Sequence, residues 1–380
     1  MPVRAAEFYS GIGGLHLAFT RSGVEGSVVQ AFDWDQNACQ VYLANHYPNI
    51  VKKVDITTLT ATQLASLGAD LWLLSPACQP YTVLNRNAKG ASDPRAQSFL
   101  HLMLTVLPEM AAANTHPDRL LVENVAGFET SSTRQITVST LRSLGYSTLE
   151  LLLTPLQFGI PNSRLRYYLL AKKTPLSFLH VLTHNRDAIW RHIPGQMPEW
   201  IDPRSESELG SFREEEPAPR HEVRALQDYL DETQAGASSP YTVSDKVLQK
   251  WGRLFDIVLP SSRRTCCFTR GYTQLVERAG SIIQMNEELD TTEIFNKFLQ
   301  AQSNSEDEAV KFLHPLQLRY FSPEELLRIF EFNPLVNDST YTSQFKWPED
   351  ISTKSKYRLI GNSVNVRVVQ ALIEYLFLEE

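Results

Sequence analysis

The stretch Arg4-Ala5-Ala6-Glu7-Phe8-Tyr9-Ser10-Gly11-Ile12-Gly13-Gly14 predicts the fold class of this 380-residue chain. Its first half has the pattern of a short buried strand, and apolar residues at helical spacing follow the glycines as far as Phe19. A strand, a glycine-rich turn and a helix open the folds that bind nucleotides, because glycine lets the backbone approach a ligand and a helix N-terminus offers free N–H groups. For the glycines alone, the alternative is a tight turn that binds nothing.

A second strand-like segment, Ser27 to Asp33, narrows the choice of ligand. Asp33 lies twenty residues after Gly13, which is typical of a carboxylate that bonds ribose hydroxyls, and Trp34 beside it can stack on adenine. The turn lacks the dinucleotide pattern G-x-G-x-x-G, and no G-K-[ST] of a phosphate loop follows it. The pattern therefore favours a nucleoside without a pyrophosphate, and S-adenosylmethionine fits that description.

Strand-like and helical segments alternate over the first part of the chain, which indicates a doubly wound α/β sheet. The predicted strands cover residues 4–9, 27–33, 51–54, 70–75, 119–124, 149–154 and 166–171, and the predicted helices cover 14–21, 36–45, 60–66, 98–113 and 133–143. From about residue 176 to residue 315 the alternation stops. A helix start at Ser322 and an apolar helix from Val366 to Leu378 follow this segment.

Four reactive or charged side chains lie at the ends of predicted strands, and the carboxyl ends form the sheet edge where ligands bind in open α/β folds. Cys78 comes after the apolar run 70–74 and is a candidate nucleophile, although a lone cysteine can also be a small buried hydrophobe. Glu123 ends a strand and can hold a base or cap a helix. Arg164 and Arg166 are two apart, so in a strand they form a two-pronged cationic group, or else surface charges.

These motifs and their order resemble those of the cytosine-5 methyltransferases across most of the chain. The matching segments are Phe8–Gly14, Asp33–Trp34, Asp55–Ile56, Pro76–Gln79, Glu123–Val125, Arg164–Arg166 and Gly361–Val364. The chain departs from the family's Pro-Pro-Cys-Gln motif at Ala77. The resemblance implies a Rossmann-like, S-adenosylmethionine-dependent methyltransferase sheet with a second, smaller target-recognition domain. The expected division is a catalytic cofactor-binding domain at 1–175, the target-recognition domain at 176–315, and a return to the catalytic domain at 316–380.

The resemblance also implies the roles of individual residues. Cys78 would attack C6 of cytosine, Glu123 would hold N3 and the exocyclic amine, and Arg164 and Arg166 would supply positive charge. The residues implied for S-adenosylmethionine, and for its product S-adenosylhomocysteine, are Phe8, Tyr9, Ser10, Gly11, Ile12, Gly13, Gly14, Asp33, Trp34, Asp55, Ile56, Ser75, Pro76, Asn362, Ser363 and Val364. Those implied for the substrate are Gln79, Asn124, Val125, Cys267, Phe268, Thr269 and Arg270. No metal site is expected.

Within the family, the segment Cys266–Tyr272 resembles the Cys-Phe-Thr-Lys-Gly-Tyr signature of the eukaryotic branch that methylates transfer RNA, with Arg270 in place of lysine. The substrate implied is a tRNA anticodon loop, at cytosine 38 of aspartate tRNA, where flipping a base costs less than in a duplex. Two alternatives stay open, a DNA cytosine-5 methyltransferase and a catalytically weak nucleic-acid-binding homologue. For the paired cysteines, a structural or substrate-contacting role is favoured over a second nucleophile or a redox switch.

The net charge of −7 is unusual for a protein that binds nucleic acid, so the distribution of charge matters more than its sum. Acidic residues concentrate in 205–216 and 305–308. Cations border the motifs and form either an RNA-binding rim or solvated faces: Arg86, Lys89 and Arg95, then Arg263, Arg264 and Arg270, then Lys346, Lys354, Lys356 and Arg358.

The cysteine content and the hydropathy indicate the cellular compartment that we expect for the protein. Four cysteines without disulfide or zinc spacing indicate a reducing compartment, and no apolar stretch approaches the length of a membrane helix. We therefore expect a cytoplasmic or nuclear monomer that binds no membrane.

Overall fold

The computed structural model describes residues 1–46, 50–81, 90–181, 188–195, 222–232, 239–302, 306–335 and 344–379. The candidate rim cations Arg86 and Lys89 and the acidic segment 205–216 lie outside the described residues. Across the described ranges, no helix combines the length and the apolar composition needed to cross a membrane.

Eight strands form the central sheet, in the spatial order β3-β2-β1-β4-β5-β7-β6-β8. Their bounds are β1 Val3–Phe8, β2 Gly26–Asp33, β3 Val51–Lys53, β4 Leu71–Leu74, β5 Arg119–Val125, β6 Tyr146–Leu153, β7 Arg166–Lys173 and β8 Ile189–Trp190. Strands β3, β2, β1, β4 and β5 are parallel to one another, so their carboxyl ends share one edge. The α/β fold class is confirmed.

The sheet is mixed rather than wholly parallel, which the alternation did not predict. Strand β7 lies between β5 and β6 and is antiparallel to both. The connection from β6 to β7 holds only a short 3-10 turn, Pro155–Phe158, and no crossover helix. Since a parallel pair needs a long crossover, this short return places β7 antiparallel to β6.

Helices cover both faces of the sheet, and further helices pack in the smaller unit described below. Their bounds are α1 Gly14–Arg21, α2 Gln36–Asn45, α3 Ala61–Ala65, α4 Gln97–His101, α5 Leu107–Ala112, α6 Ser132–Ser143, α7 Asp245–Trp251, α8 Thr291–Gln302, α9 Glu306–Ala309, α10 Pro323–Ile329, α11 Thr353–Gly361 and α12 Val366–Leu376. The predicted helix 98–113 is interrupted by a π-helical turn, Leu102–Val106, that joins α4 to α5.

Two apolar cores form because successive strand residues point to opposite faces. Leu71 and Leu73 of β4 belong to the core that includes α1 and α12, whereas Trp72 and Leu74 belong to the core that includes α4 and α6. All four side chains are fully buried, so β4 holds the loop that follows it against a rigid support. That loop carries Cys78.

A second, three-stranded sheet lies outside the central one. Its order is β11-β10-β9, with β9 Ile257–Val258, β10 Ile282–Gln284 and β11 Leu318–Arg319. A third apolar cluster accompanies it and includes Phe298 of α8. The structure therefore contains a smaller packed unit in this part of the chain, and the domain bounds given above stay a prediction.

Candidate active site

A cleft opens at the shared carboxyl edge of the parallel strands and is lined largely by residues that the sequence singled out. The predicted residues that line it are Tyr9, Gly11, Asp33, Ser75, Pro76, Cys78, Gln79, Glu123, Val125, Arg164, Arg166, Asn362 and Ser363. Five more lining residues were absent from the predicted site, namely Asp35, Ala38, Ala77, Leu359 and Gly361. Each of these five is a close neighbour of a predicted motif, which was the only signal for them.

The other predicted residues are not among those that line the cleft. They are Phe8, Ser10, Ile12, Gly13, Gly14, Trp34, Asp55, Ile56, Asn124, Val364, Cys267, Phe268, Thr269 and Arg270. Five of them are buried core residues, namely Phe8, Ile12, Ile56, Phe268 and Val364. Phe8 stacks on Phe32, and Phe268 packs against Tyr272. Their contact with a ligand stays a prediction.

The carboxyl group of Asp33 holds the glycine turn. One oxygen accepts the Gly11 backbone N–H at 2.7 Å, and the other accepts the Asp35 backbone N–H at 2.7 Å. Burial raises the pKa of this carboxyl, although both hydrogen bonds oppose the shift. A carboxylate has about four acceptor sites, so each oxygen can still accept a ribose hydroxyl.

A buried polar network lies beneath the turn, and the sequence analysis missed it. The Tyr42 hydroxyl donates to the fully buried Glu7 carboxyl at 2.8 Å and lies 2.7 Å from Nδ1 of His16. His46 stacks on the His16 ring with centroids 4.1 Å apart. A Cβ at Gly13 would lie 2.0 Å from Nε2 of His46, so only glycine fits there. The signal for this network was Glu7 itself, a charged residue in an otherwise buried strand.

Cys78 lies half-buried on the loop after β4. Asn124 supports this loop from β5, because its side-chain amide donates to the Pro76 carbonyl at 3.2 Å. Burial raises the pKa of the Cys78 thiol. The charges of Arg166 and Arg164 lower it, as expected, but burial and the Glu123 carboxylate outweigh them.

Glu123 and Arg166 form an ion pair at the same edge of the sheet. Arg166 Nε lies 3.4 Å from Glu123 Oε1, and both side chains are largely buried. Burial raises the pKa of the Glu123 carboxyl, while the two arginines oppose the shift. Burial and the two positive charges therefore act on the Glu123 carboxyl in opposite directions, and the effect of burial is the larger.

Arg164 has a different set of partners from Arg166. Strand β7 begins at Arg166, so Arg164 lies in the preceding turn rather than two residues along a strand. Its guanidinium donates to the backbone carbonyls of Phe268 at 2.8 Å and Ser363 at 2.6 Å. Both guanidiniums nevertheless lie 3.4 Å from Sγ of Cys267, and their charges lower the pKa of that thiol.

Among the described residues, no group of His, Cys, Asp or Glu side chains has an arrangement that could hold a metal ion. The side chains of the cleft instead combine a carboxyl that can bond hydroxyls, a cysteine thiol and a buried glutamate paired with an arginine. This combination is compatible with an enzyme that transfers a group from a nucleoside cofactor.

Comparison with known proteins identifies the family. The family model of C-5 cytosine-specific DNA methylases matches residues 3–377. The chain belongs to the C-5 cytosine methyltransferases, a family of enzymes that use S-adenosylmethionine, and the resemblance found in the sequence is confirmed.

Relatives within the family are named for different substrates, tRNA or DNA. The chain is 38% identical to the tRNA (cytosine(38)-C(5))-methyltransferase of Schizosaccharomyces pombe, over 98% of this chain and 96% of the relative. It is 33% identical to the DNA (cytosine-5)-methyltransferase of Dictyostelium discoideum, over 98% of this chain and 94% of the relative. The crystal structure of the S. pombe Dnmt2 methyltransferase is similar with a TM-score of 0.72 and 35% identity, and the match covers 98% of both chains.

Proposed function

We propose that the chain transfers a methyl group from S-adenosylmethionine to C5 of cytosine 38 in the anticodon loop of aspartate tRNA, through a covalent bond between Cys78 Sγ and C6 of the base. The observation that carries this proposal is the position of Cys78, Glu123 and Arg166 together at one cleft. The S. pombe relative supports tRNA as the substrate.

The cleft fits the cofactor in its chemistry. Asp33 offers free acceptor sites for two hydroxyls, and the Trp34 side chain, 70% exposed, offers a face for adenine. Gly11 adopts a φ of 53°, which is strained for other residues, and this turn brings the backbone to the cleft. When bound there, S-adenosylmethionine supplies an electrophilic methyl group and a positive charge on sulfur.

Each side chain then has a defined task in the reaction. The Cys78 thiolate forms a bond to C6, which makes C5 nucleophilic, and Glu123 holds a proton at N3 to neutralise the negative charge that develops on the ring. After C5 has gained the methyl group, loss of the C5 proton to a base breaks the bond between C6 and Sγ, and the thiolate is regenerated. Arg166 fixes the orientation of Glu123 and contributes positive charge beside Cys78.

The surface near the cleft also suits an RNA backbone. Four cations of the predicted rim are exposed, namely Arg264, Arg270, Lys346 and Lys354. Each phosphate contact that such cations make adds about 0.7 to 0.9 to the slope of log affinity against log salt concentration. We expect tRNA binding to weaken steeply with salt, and a flat response would contradict this rim.

A second candidate function is methylation of cytosine in DNA. It shares the whole proposed mechanism, and the Dictyostelium relative at 33% identity favours it. The two functions differ only in the nucleic acid that reaches the cleft, so one assay separates them.

The test is transfer of a labelled methyl group from S-adenosylmethionine to aspartate tRNA, to the same tRNA with uridine at position 38, and to duplex DNA. We expect label on the first alone. Cys78→Ala should abolish the label, whereas Cys39→Ala removes a buried thiol of α2 that does not line the cleft and should keep the label. Label on DNA alone would replace the proposal by the second candidate, and label on neither would indicate a weak binding homologue.

A further inference from the structure

The partners of Arg164 join two loops that are far apart in sequence. One is the target loop, defined here as Thr265–Tyr272, and the other is the closing turn, defined as Gly361–Ser363. Besides the bonds already described, the guanidinium donates to the Gly361 carbonyl at 3.2 Å. Arg164 is almost fully buried, and its guanidinium also lies over the Phe330 ring at 5.0 Å from the centroid. This side chain is therefore fixed in one position by the two loops together.

A second contact between the same loops does not involve Arg164. A Cβ added at Gly361 would lie 2.3 Å from the carbonyl carbon of Thr269 and 2.4 Å from the backbone N of Arg270. These neighbours are backbone atoms, which cannot turn aside as a side chain can. The closing turn and the target loop thus lie in direct backbone contact, which only glycine allows.

The closing turn also contacts the cofactor side of the cleft. Gly361, Asn362 and Ser363 line the cleft, and Val364 packs on Gly14 so closely that a Cβ at Gly14 would lie 2.8 Å from Cγ2 of Val364. A continuous packed path therefore leads from the start of α1, through the closing turn and Arg164, to the target loop.

We propose that Arg164 is a positioning residue that locks the target loop onto the closing turn, so that occupation of the cofactor side of the cleft orders the loop that faces the RNA. The inference rests on the proposed function, because it assigns the two sides of the cleft to a cofactor and a target base. It gives Arg164 a role distinct from that of Arg166, since Arg164 acts through backbone carbonyls and Arg166 through Glu123.

The test is hydrogen exchange of the target-loop backbone amides, measured by mass spectrometry with and without saturating S-adenosylhomocysteine. In the wild-type chain we expect the ligand to slow exchange of this peptide at least fivefold. Arg164→Lys keeps the positive charge, but an ammonium group lacks the planar, forked donors with which the guanidinium bonds several carbonyls at once. We therefore expect the protection that the ligand gives to the target loop to fall below twofold. For each variant, exchange with the ligand is compared with exchange without it. A general loss of stability affects both measurements and therefore does not produce the expected loss of protection.

A second variant and two controls keep the test decisive if Arg164→Lys folds poorly. Gly361→Ala forces the two backbones apart and should also lose the protection. The controls are Arg134→Lys, which removes an arginine paired with Glu150, and Gly252→Ala, which adds a methyl group against the Phe295 side chain. Neither residue belongs to the packed path, so both variants should keep the protection of the target loop.

The coupling and the proposed function can fail separately. If S-adenosylhomocysteine binds the wild-type chain and leaves exchange of the target loop unchanged, the inference is wrong even when methyl transfer to tRNA is intact. If protection reaches the target loop and is lost in both path variants while no RNA is methylated, the positioning role stands and the proposed function fails.

Discussion

Burial of the Glu7 carboxyl makes the folded chain less stable as the pH rises, and Glu7→Gln should remove this effect. The side chain has no exposed surface and lies in the network with Tyr42 and His16. Burial raises the pKa of Glu7 from 4.5 to about 8. The unfolded chain loses this proton above pH 4.5, whereas the folded chain keeps it until about pH 8.

The sign and the size of the effect follow from this difference. Between these two pH values the folded state binds more protons than the unfolded state, so the free energy of unfolding falls as the pH rises. At about 1.36 kcal/mol per pH unit, the loss sums to about 5 kcal/mol. It is absent below pH 4.5 and complete above about pH 8.

Glutamine can replace the carboxyl without leaving a polar atom unpaired. Its amide can donate to the Tyr42 oxygen, and the Tyr42 hydroxyl can then donate to Nδ1 of His16, which is 2.7 Å away. The remaining oxygen can accept the His16 backbone N–H, which now lies 3.3 Å from a Glu7 oxygen. We therefore expect Glu7→Gln to match the wild type within about 1 kcal/mol at pH 5 and to be more stable by about 3 to 5 kcal/mol at pH 8.

Urea unfolding of both chains at pH 5, 6.5 and 8 measures this difference. Burial lowers the pKa of His16 to about 3 and that of His46 to about 4, but both histidines are common to the two chains. Glu325→Gln is the control, because Glu325 is buried against Arg319 and its loss should destabilise the chain at each pH. A difference between Glu7→Gln and wild type that is the same at pH 5 and pH 8 would refute the reasoning.

Three further predictions concern the cleft. Because burial raises the pKa of Cys78 and Arg166 opposes this, the single-turnover rate of methyl transfer should rise with pH through the ordinary thiol range and continue to rise above it. Arg166→Gln should shift the midpoint to still higher pH, and a flat profile would contradict the prediction. Trp34→Ala should weaken binding of S-adenosylhomocysteine about tenfold in calorimetry with an unchanged melting temperature, because the indole is 70% exposed, and equal affinities would argue against stacking. Gly13→Ala should lower the free energy of unfolding by about 2 to 4 kcal/mol in urea, because Gly13 has a φ of 85° and an added Cβ would meet His46. The loss should clearly exceed that of Gly23→Ala, because Gly23 has a φ of 71° but no atom within 4 Å of an added Cβ.

Much of the cleft could be predicted because its residues are fixed by local patterns. A buried apolar run followed by a polar residue marks the carboxyl end of a strand, and parallel strands bring such ends to one edge. Cys78 follows β4 and Glu123 lies near the carboxyl end of β5, and these two strands are hydrogen-bonded neighbours in the sheet. Their proximity thus follows from strand order alone.

Pairings between distant segments could not be predicted in the same way. The position of β7 between β5 and β6 depends on which strand of the sheet still has an unpaired edge when the chain turns back after β6. The spacing of apolar residues along a strand carries no information about this pairing. The partners of Arg164 are mainly backbone carbonyls, whose positions no side-chain pattern encodes. The Glu7 network left one trace, a carboxylate in a buried strand, but its partners Tyr42 and His16 lie on two different helices.

The two arginines lower the pKa of one thiol below its usual value and fail to do so for the other. Cys267 lies within hydrogen-bond distance of both guanidiniums, and their charges outweigh its burial. Cys78 is influenced by the same charges, but burial and Glu123 dominate and its pKa stays raised. The protein alone therefore keeps Cys78 mainly as the neutral thiol. Under the proposed function, the missing positive charge is that of the cofactor sulfonium, so the nucleophile gains thiolate character when the methyl donor is in place. A thiol held neutral until then is also protected from reaction with other electrophiles, because the thiolate is the reactive form.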